Sequence, residues 1–210
     1  MSDRTIEDRL REEYFDLLPD IRRVAWQLET EIRYATLPIQ RTLAHAEQLI
    51  VKSRVKECES ALKTLSRVSE GRTFDPERPG DYSLLSLPDL AGVQVLVFPR
   101  NRLTEVDSAL HERFPSWTAK PLKNNEGVVL APRYFGYCEA VGTRVRGEYQ
   151  VVPMLLGLFW EVEHSAIYKP DPRLSGRANT REMNRLRKDV EAALSRFEDG
   201  FESIVRDSNL

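Results

Sequence analysis

The sequence predicts an α+β domain, a mixed sheet flanked by helices, with a long helix towards each end of the chain. Two observations carry this. Apolar residues recur at steps of three and four at both ends, the spacing of one helix face. Between them lie short β-branched runs bounded by Pro, Gly and Asn, the marks of strands.

The N-terminal stripe is Ile6, Leu10, Tyr14, Leu17, Ile21, Val24, Leu28 and Ile32. Pro19 interrupts it and reads as the first residue of a second helix. Pro38 ends the segment, and a third helical piece is expected from Ile39 to about Glu47. The run from Leu49 to Lys56 is apolar and basic, a strand or an extended entry to a helix over 57–69. Residues 70–83, with Gly71, Pro76, Pro79 and Gly80, read as a surface loop. Ala91 to Phe98 is the clearest strand. Residues 101–114 form an amphipathic helix with Leu103, Val106 and Leu110 on one face, and 116–127 a loop or hairpin end. Strands are expected over 128–130, 133–141 and 146–152, then a buried helix over 154–168 with Pro153 near its start.

After a break at 170–176, a long helix runs from Thr180 to about Val205, with Met183, Leu186, Val190, Leu194, Phe197, Phe201 and Ile204 in three-four alternation. The two terminal stripes either pack within the domain or mediate a helix-based homo-oligomer. The expected organisation is N-terminal helices over 1–48, a core over 49–170 and a C-terminal helix over 171–210, all in one structural domain.

The bulk numbers narrow the class. The chain has 210 residues, 41% hydrophobic and 30% charged, enough for one domain with a substantial core. A net charge of −2 gives no global basic field for duplex binding, though it permits a local basic pocket. Cys58 and Cys138 sit in no metal-ligand or disulfide pattern. The polar start does not read as a signal peptide. No apolar run approaches the roughly 18 residues of a membrane span. A cytoplasmic, reduced protein without membrane contact is expected. GxGxxG, P-loop, HExxH and GxSxG motifs are all missing.

Four places concentrate polar groups near apolar strands. In the first, Lys52-Ser-Arg-Val-Lys56, Arg54 and Lys56 share one face of a strand, and Ser60 and Lys63 share one face of the next helix. Such a set could hold a triphosphate or be a solvated basic edge. The second is Asp89, at the mouth of the Ala91–Phe98 strand, a metal-binding carboxylate or an ordinary turn residue. In the third, Glu148 and Gln150 face one way on a strand, towards a cleft or towards solvent. Magnesium is commonly held by one or two carboxylates plus substrate phosphates, so Asp89 and Glu148 could form a pair for it. The fourth is Glu163-His164 with Tyr168-Lys169, where His164 and Tyr168 share a helical face.

The order of these segments is more specific than any one of them. Val51-Lys-Ser-Arg-Val-Lys56 through Lys63, Asp89-Leu-Ala-Gly-Val93, Arg133-Tyr-Phe-Gly-Tyr137, Glu148-Tyr-Gln150 and Glu163-His164 through Tyr168-Lys169 together resemble the synthetase domain of RelA/SpoT-type alarmone synthetases. The chain looks like a small, stand-alone member over residues 20–170. That resemblance implies a nucleotidyltransferase-like mixed sheet and transfer of pyrophosphate from ATP to the 3′-hydroxyl of GTP or GDP. It implies ATP-phosphate binding by Arg54, Lys56, Ser60 and Lys63, and a magnesium site at Asp89 and Glu148. Glu148 would hold metal or activate the acceptor hydroxyl. Arg133, Tyr137 and Gln150 would serve the acceptor, with Tyr137 stacking on its base. His164 and Lys169 match the end of the pattern.

The departures cluster on the acceptor side, with one, at Gln94, on the ATP and metal side. Where the family usually has arginine after the D-L-x-G-V run, this chain has Gln94. Phe135, Cys138, Glu139, Val141 and Val152 replace polar or charged residues of the family pattern. They point to two alternatives, a different acceptor (an adenine nucleotide or the 3′ end of tRNA) and a non-catalytic nucleotide-binding module. Lys123, Arg144 and Arg146 could form a local patch for RNA.

Overall fold

The computed structural model describes residues 5–69, 74–75, 77–123, 127–138, 141–163 and 181–208. Helix α1 runs Ile6–Gln40 as one element of 35 residues, opened by a Thr5/Asp8 capping box. The expected breaks at Pro19 and Pro38 are corrected, since both prolines lie inside it. Both side chains are exposed, on the solvent face. There the carbonyl each proline displaces can tilt to water, so the apolar stripe keeps its phase through them. The separate helix from Ile39 is also corrected. Arg41 caps α1, donating its N–H to the Leu37 carbonyl at 3.2 Å, and the chain turns into the sheet.

The strands are β1 Gln48–Val55, β2 Ala91–Phe98, β3 Thr118–Ala119, β4 Leu122–Lys123, β5 Val129–Ala131, β6 Arg133–Tyr137 and β7 Arg146–Pro153. The remaining helices are α2 Cys58–Val68, α3 Leu103–Arg113, α4 Met154–Glu163 and α5 Arg181–Ser208. The main sheet has the order β1-β2-β7-β6-β3, and β4 pairs with β5 in a second, two-stranded sheet. In the main sheet only β2 and β7 are parallel; the other pairs are antiparallel. The mixed sheet and the long terminal helices are therefore as expected.

Strand alternation divides the sheet into two unlike faces. Val51, Val93, Val95, Tyr149 and Val151 point to one face, where they form a core with Leu28 and Ile32 of α1 and Val106 and Leu110 of α3. The opposite face is split. Its far end carries Leu96 and Val152, fully buried and packed with Met154 of α4 and, at the edge, Trp160. Its near end is polar and uncovered by that cluster. Helix α5 braces α4 through the Arg187–Glu163 ion pair and meets β2 where Phe201 packs on Phe98 at 4.9 Å between ring centroids. No helix among the described residues is long and apolar enough to cross a membrane.

Candidate active site

The register brings the acidic and basic candidates to one face. Arg54 pairs with Gly92, Gly92 with Glu148, and Glu148 with Phe135, making one row across β1, β2, β7 and β6. Arg54 donates from Nη2 to Oε1 of Glu148 at 3.1 Å, reaching across β2 to do so. Gly92 makes the reach easy: a Cβ there would lie 3.2 Å from Arg54 Nε and 3.3 Å from its Cγ. The glycine lets the arginine lie flat over the strand.

Glu148 is buried to 2% exposure, whereas the Arg54 side chain is 60% exposed. Gln150 donates its amide to the same Glu148 oxygen. Burial pushes the Glu148 carboxyl above its ordinary range; Arg54 and Gln150 oppose this, and the negative charge of Asp89 adds to it.

Asp89 is placed by backbone pairing. The Lys56 N–H donates to the Leu90 carbonyl at 2.9 Å, extending the β1–β2 ladder past the strand ends. Lys56 Nζ then meets Asp89 Oδ2 at 2.5 Å. The second oxygen, Oδ1, is buried without a hydrogen-bond partner. An orphaned, buried carboxylate oxygen is the chemistry a hard divalent cation satisfies. Among the described residues no cluster of three or more His, Cys, Asp or Glu could hold a metal alone. Two carboxylates leave the remaining ligand positions to phosphates and water.

The other candidates fall in three places. Gln150 supports Glu148 from within the site, a role distinct from the acceptor contact expected of it. Arg133 lies next to Gln150 in register, stacks its guanidinium 5.1 Å from the Phe135 ring centroid and donates from Nε to the Lys120 carbonyl at 2.9 Å. Tyr137 is 55% exposed at the end of β6 and borders a hollow of about 510 Å3 with Glu31, Glu112, Trp117 and Cys138.

Ser60 and Lys63 stand apart from the row. Lys63 borders a separate hollow of about 310 Å3 with Glu7, Glu59 and Phe74. No hydrogen bond or ion pair among the described residues joins either to Asp89 or Glu148. Glu163 is a strut to α5 through Arg187. His164, Lys169 and Glu139 lie outside the described residues.

The altered acceptor positions have a packing explanation. Cys138 is buried in the core cluster that includes Leu10, Tyr14 and Ile21, and Val141 packs against it. Val152 lies beneath α4. Sequence reasoning gave no specific role to Gly92 or Phe135, although Gly92 stood within the D-L-x-G run.

No family model matches the chain, and no curated protein matches it in sequence. Solved structures do. Small alarmone synthetase 1 from Bacillus subtilis is 17% identical, with a TM-score of 0.68 over 94% of this chain and 98% of that one. The same protein bound to its product pppGpp is 18% identical, with a TM-score of 0.67 over 95% and 100%. Its AMPCPP-bound form is 17% identical, with a TM-score of 0.62 over 94% and 98%. TM-scores of 0.62–0.68 with near-complete mutual coverage show that this chain has the fold of the small alarmone synthetases, a RelA/SpoT-type synthetase fold.

Proposed function

We propose that this chain is an ATP-dependent pyrophosphotransferase that acts on the 3′-hydroxyl of a nucleotide, with GDP or GTP as acceptor. The observation that carries the reading is the pair Asp89 and Glu148. Each is held by a cation from β1 or just past it, Arg54 at Glu148 and Lys56 at Asp89, and Asp89 keeps one unsatisfied oxygen. The AMPCPP and pppGpp bound to small alarmone synthetase 1 support nucleotide substrates on this fold. Such substrates suit a cytoplasmic protein.

In the reaction the acceptor 3′-oxygen attacks the β-phosphorus of ATP. The bond from that phosphorus to the α-phosphate bridging oxygen breaks, and AMP leaves. Catalysis asks the protein for alignment and charge. Arg54 and Lys56 would bind phosphate oxygens, exchanging their carboxylate partners for more highly charged ones. Glu148, held by Gln150, would receive the hydroxyl proton or share in holding magnesium with Asp89. The cation supplies neutralisation of the phosphates when bound.

A second acceptor class is favoured by one specific observation. Cys138, Val141 and Val152 serve packing, so the acceptor end of the face lacks the polar groups of the family pattern. Offering ATP and magnesium with GDP, GTP, ADP and tRNA in parallel separates the readings. A 3′-pyrophosphorylated guanine nucleotide supports the first; label on ADP or tRNA supports the second; ATP binding without transfer to any of them leaves a nucleotide-binding module.

The protein is further proposed to self-associate through α5. Met183, Val190, Phe197 and Ile204 recur every seven residues, with Leu186, Ala193 and Gly200 between them. Leu186, Val190, Phe197 and Ile204 are 38–66% exposed. In an antiparallel pair Val190 would layer on the partner's Ala193, Met183 on the partner's Gly200, and Phe197 on the partner's Leu186. The same register sets Asp189 against the partner's Arg196. Sedimentation should show a dimer that Phe197→Glu dissociates. A monomer at every concentration contradicts this.

A further inference from the structure

Three cations alternate along β1 and just past it: Lys52, Arg54 and Lys56. The last two face Glu148 and Asp89. Lys52 has no assigned place in the site, yet the register puts it there. It pairs with Gln94, Gln94 with Gln150, and Gln150 with Arg133. A second row therefore lies beside the Arg54–Glu148 row on the same face, with a cation at each end and two amides between. Lys52 and Arg54 are two residues apart on a strand, about 6.6 Å along it.

Lys52 is held from the side by α4. Its Nζ meets Glu161 Oε2 at 3.0 Å and Oε1 at 3.1 Å. The two side chains are 41% and 44% exposed. An ion pair so exposed contributes little, because water screens it and both side chains must be held still. A polyphosphate carries more charge and more acceptor oxygens than one carboxylate, so it competes well for the ammonium. Helix α4 does not depend on the pair, because Met154 and Trp160 anchor it on Leu96 and Val152.

We propose that Lys52 is a further phosphate-binding cation for a nucleoside triphosphate, supplying beside Gln94 the charge that Gln94 lacks. Glu161 is its built-in competitor, holding Lys52 while the site is empty and yielding it when phosphate arrives. This rests on the donor-site reading above. It adds a residue at a register position where the resemblance names none, and a regulatory carboxylate on a different element.

Calorimetric titration of ATP with magnesium tests it on the full chain as wild type, Lys52→Met, Glu161→Gln and the double variant. Lys52→Met should weaken ATP binding about tenfold, the loss of one charge-assisted hydrogen-bond donor. Glu161→Gln should tighten it about threefold, since the competitor is gone. The double variant should match Lys52→Met, because Glu161 then has nothing to withhold. Wild-type affinity in Lys52→Met, or weakened affinity in Glu161→Gln, overturns the proposal while leaving the donor site standing. A wild-type protein that binds no ATP overturns both.

Discussion

Replacing Glu148 with glutamine should leave the fold at least as stable while sharply lowering turnover, an opposition that an ordinary structural ion pair would not show. Glu148 is 2% exposed and its burial raises the cost of ionising it. Desolvating a carboxylate costs several kcal/mol in real proteins, and Asp89 adds repulsion. On the other side stands the contact with Arg54 at 3.1 Å. That guanidinium is 60% exposed, so solvent screens the attraction to about 0.2–1 kcal/mol. Glutamine keeps a carbonyl that accepts from Arg54 and Gln150.

Glutamine also buries an NH2 group that cannot take over a carboxylate oxygen's partners, which costs about 1–3 kcal/mol. The balance leaves Glu148→Gln equal in stability or better by about 1 kcal/mol, a rise of up to about 2–4 °C in Tm for a chain of this size. Loss of the group that takes the proton or holds the cation should lower transfer about 10²–10⁴-fold. Thermal melting by circular dichroism and chromatographic product analysis read the two effects on one preparation. A loss of more than about 2 kcal/mol would make Glu148 a structural partner of Arg54. Undiminished transfer would remove it from the chemistry. Either result refutes the reasoning.

Two further predictions concern the scaffold. Glu47 accepts from Arg102 through both oxygens, at 3.0 and 2.8 Å, and these bonds hold its carboxyl below the ordinary 4.5. A depressed carboxyl contributes stability above its unfolded value and loses it as pH falls through its folded one. Glu47→Gln should therefore cost about 1.5–3 kcal/mol at neutral pH, and urea denaturation curves of the two proteins should converge as the pH falls through the lowered folded value. Gly136 leaves room for Trp117, whose ring atoms would lie 2.5–2.6 Å from an added Cβ. Gly136→Ala should destabilise by about 1–3 kcal/mol in urea titration, through overpacking at the β6 edge.

The sequence made much of this fold legible because period and burial agree. The 3.6-residue stripe of α1 follows from its one buried face, and the β-branched run of β2 from burial on both of its faces. Pro19 and Pro38 misled because a helix tolerates proline where the displaced carbonyl faces water, and that depends on which face the residue occupies. The shared face of Arg54 and Lys56 was readable from alternation alone. Their meeting with Asp89 and Glu148 was not: Lys56 reaches Asp89 through the antiparallel β1–β2 ladder, and Arg54 reaches Glu148 only because β2 also pairs in parallel with β7, between segments more than fifty residues apart. Lys52 opens the same basic run, but its place in the site was not readable because its neighbours Gln94, Gln150 and Glu161 come from three other elements. Cys138 and Val141 read as lost acceptor groups, and the fold uses them as core.

The most direct measurement is the composition of nucleotides after the purified protein is incubated with ATP, GDP or GTP, and magnesium. Transfer at the Asp89–Glu148 face predicts AMP and a 3′-pyrophosphorylated guanine nucleotide in equal amounts, with neither formed by Glu148→Gln. ATP bound at the site with no AMP released, whether guanine nucleotide, adenine nucleotide or tRNA is offered, would contradict it.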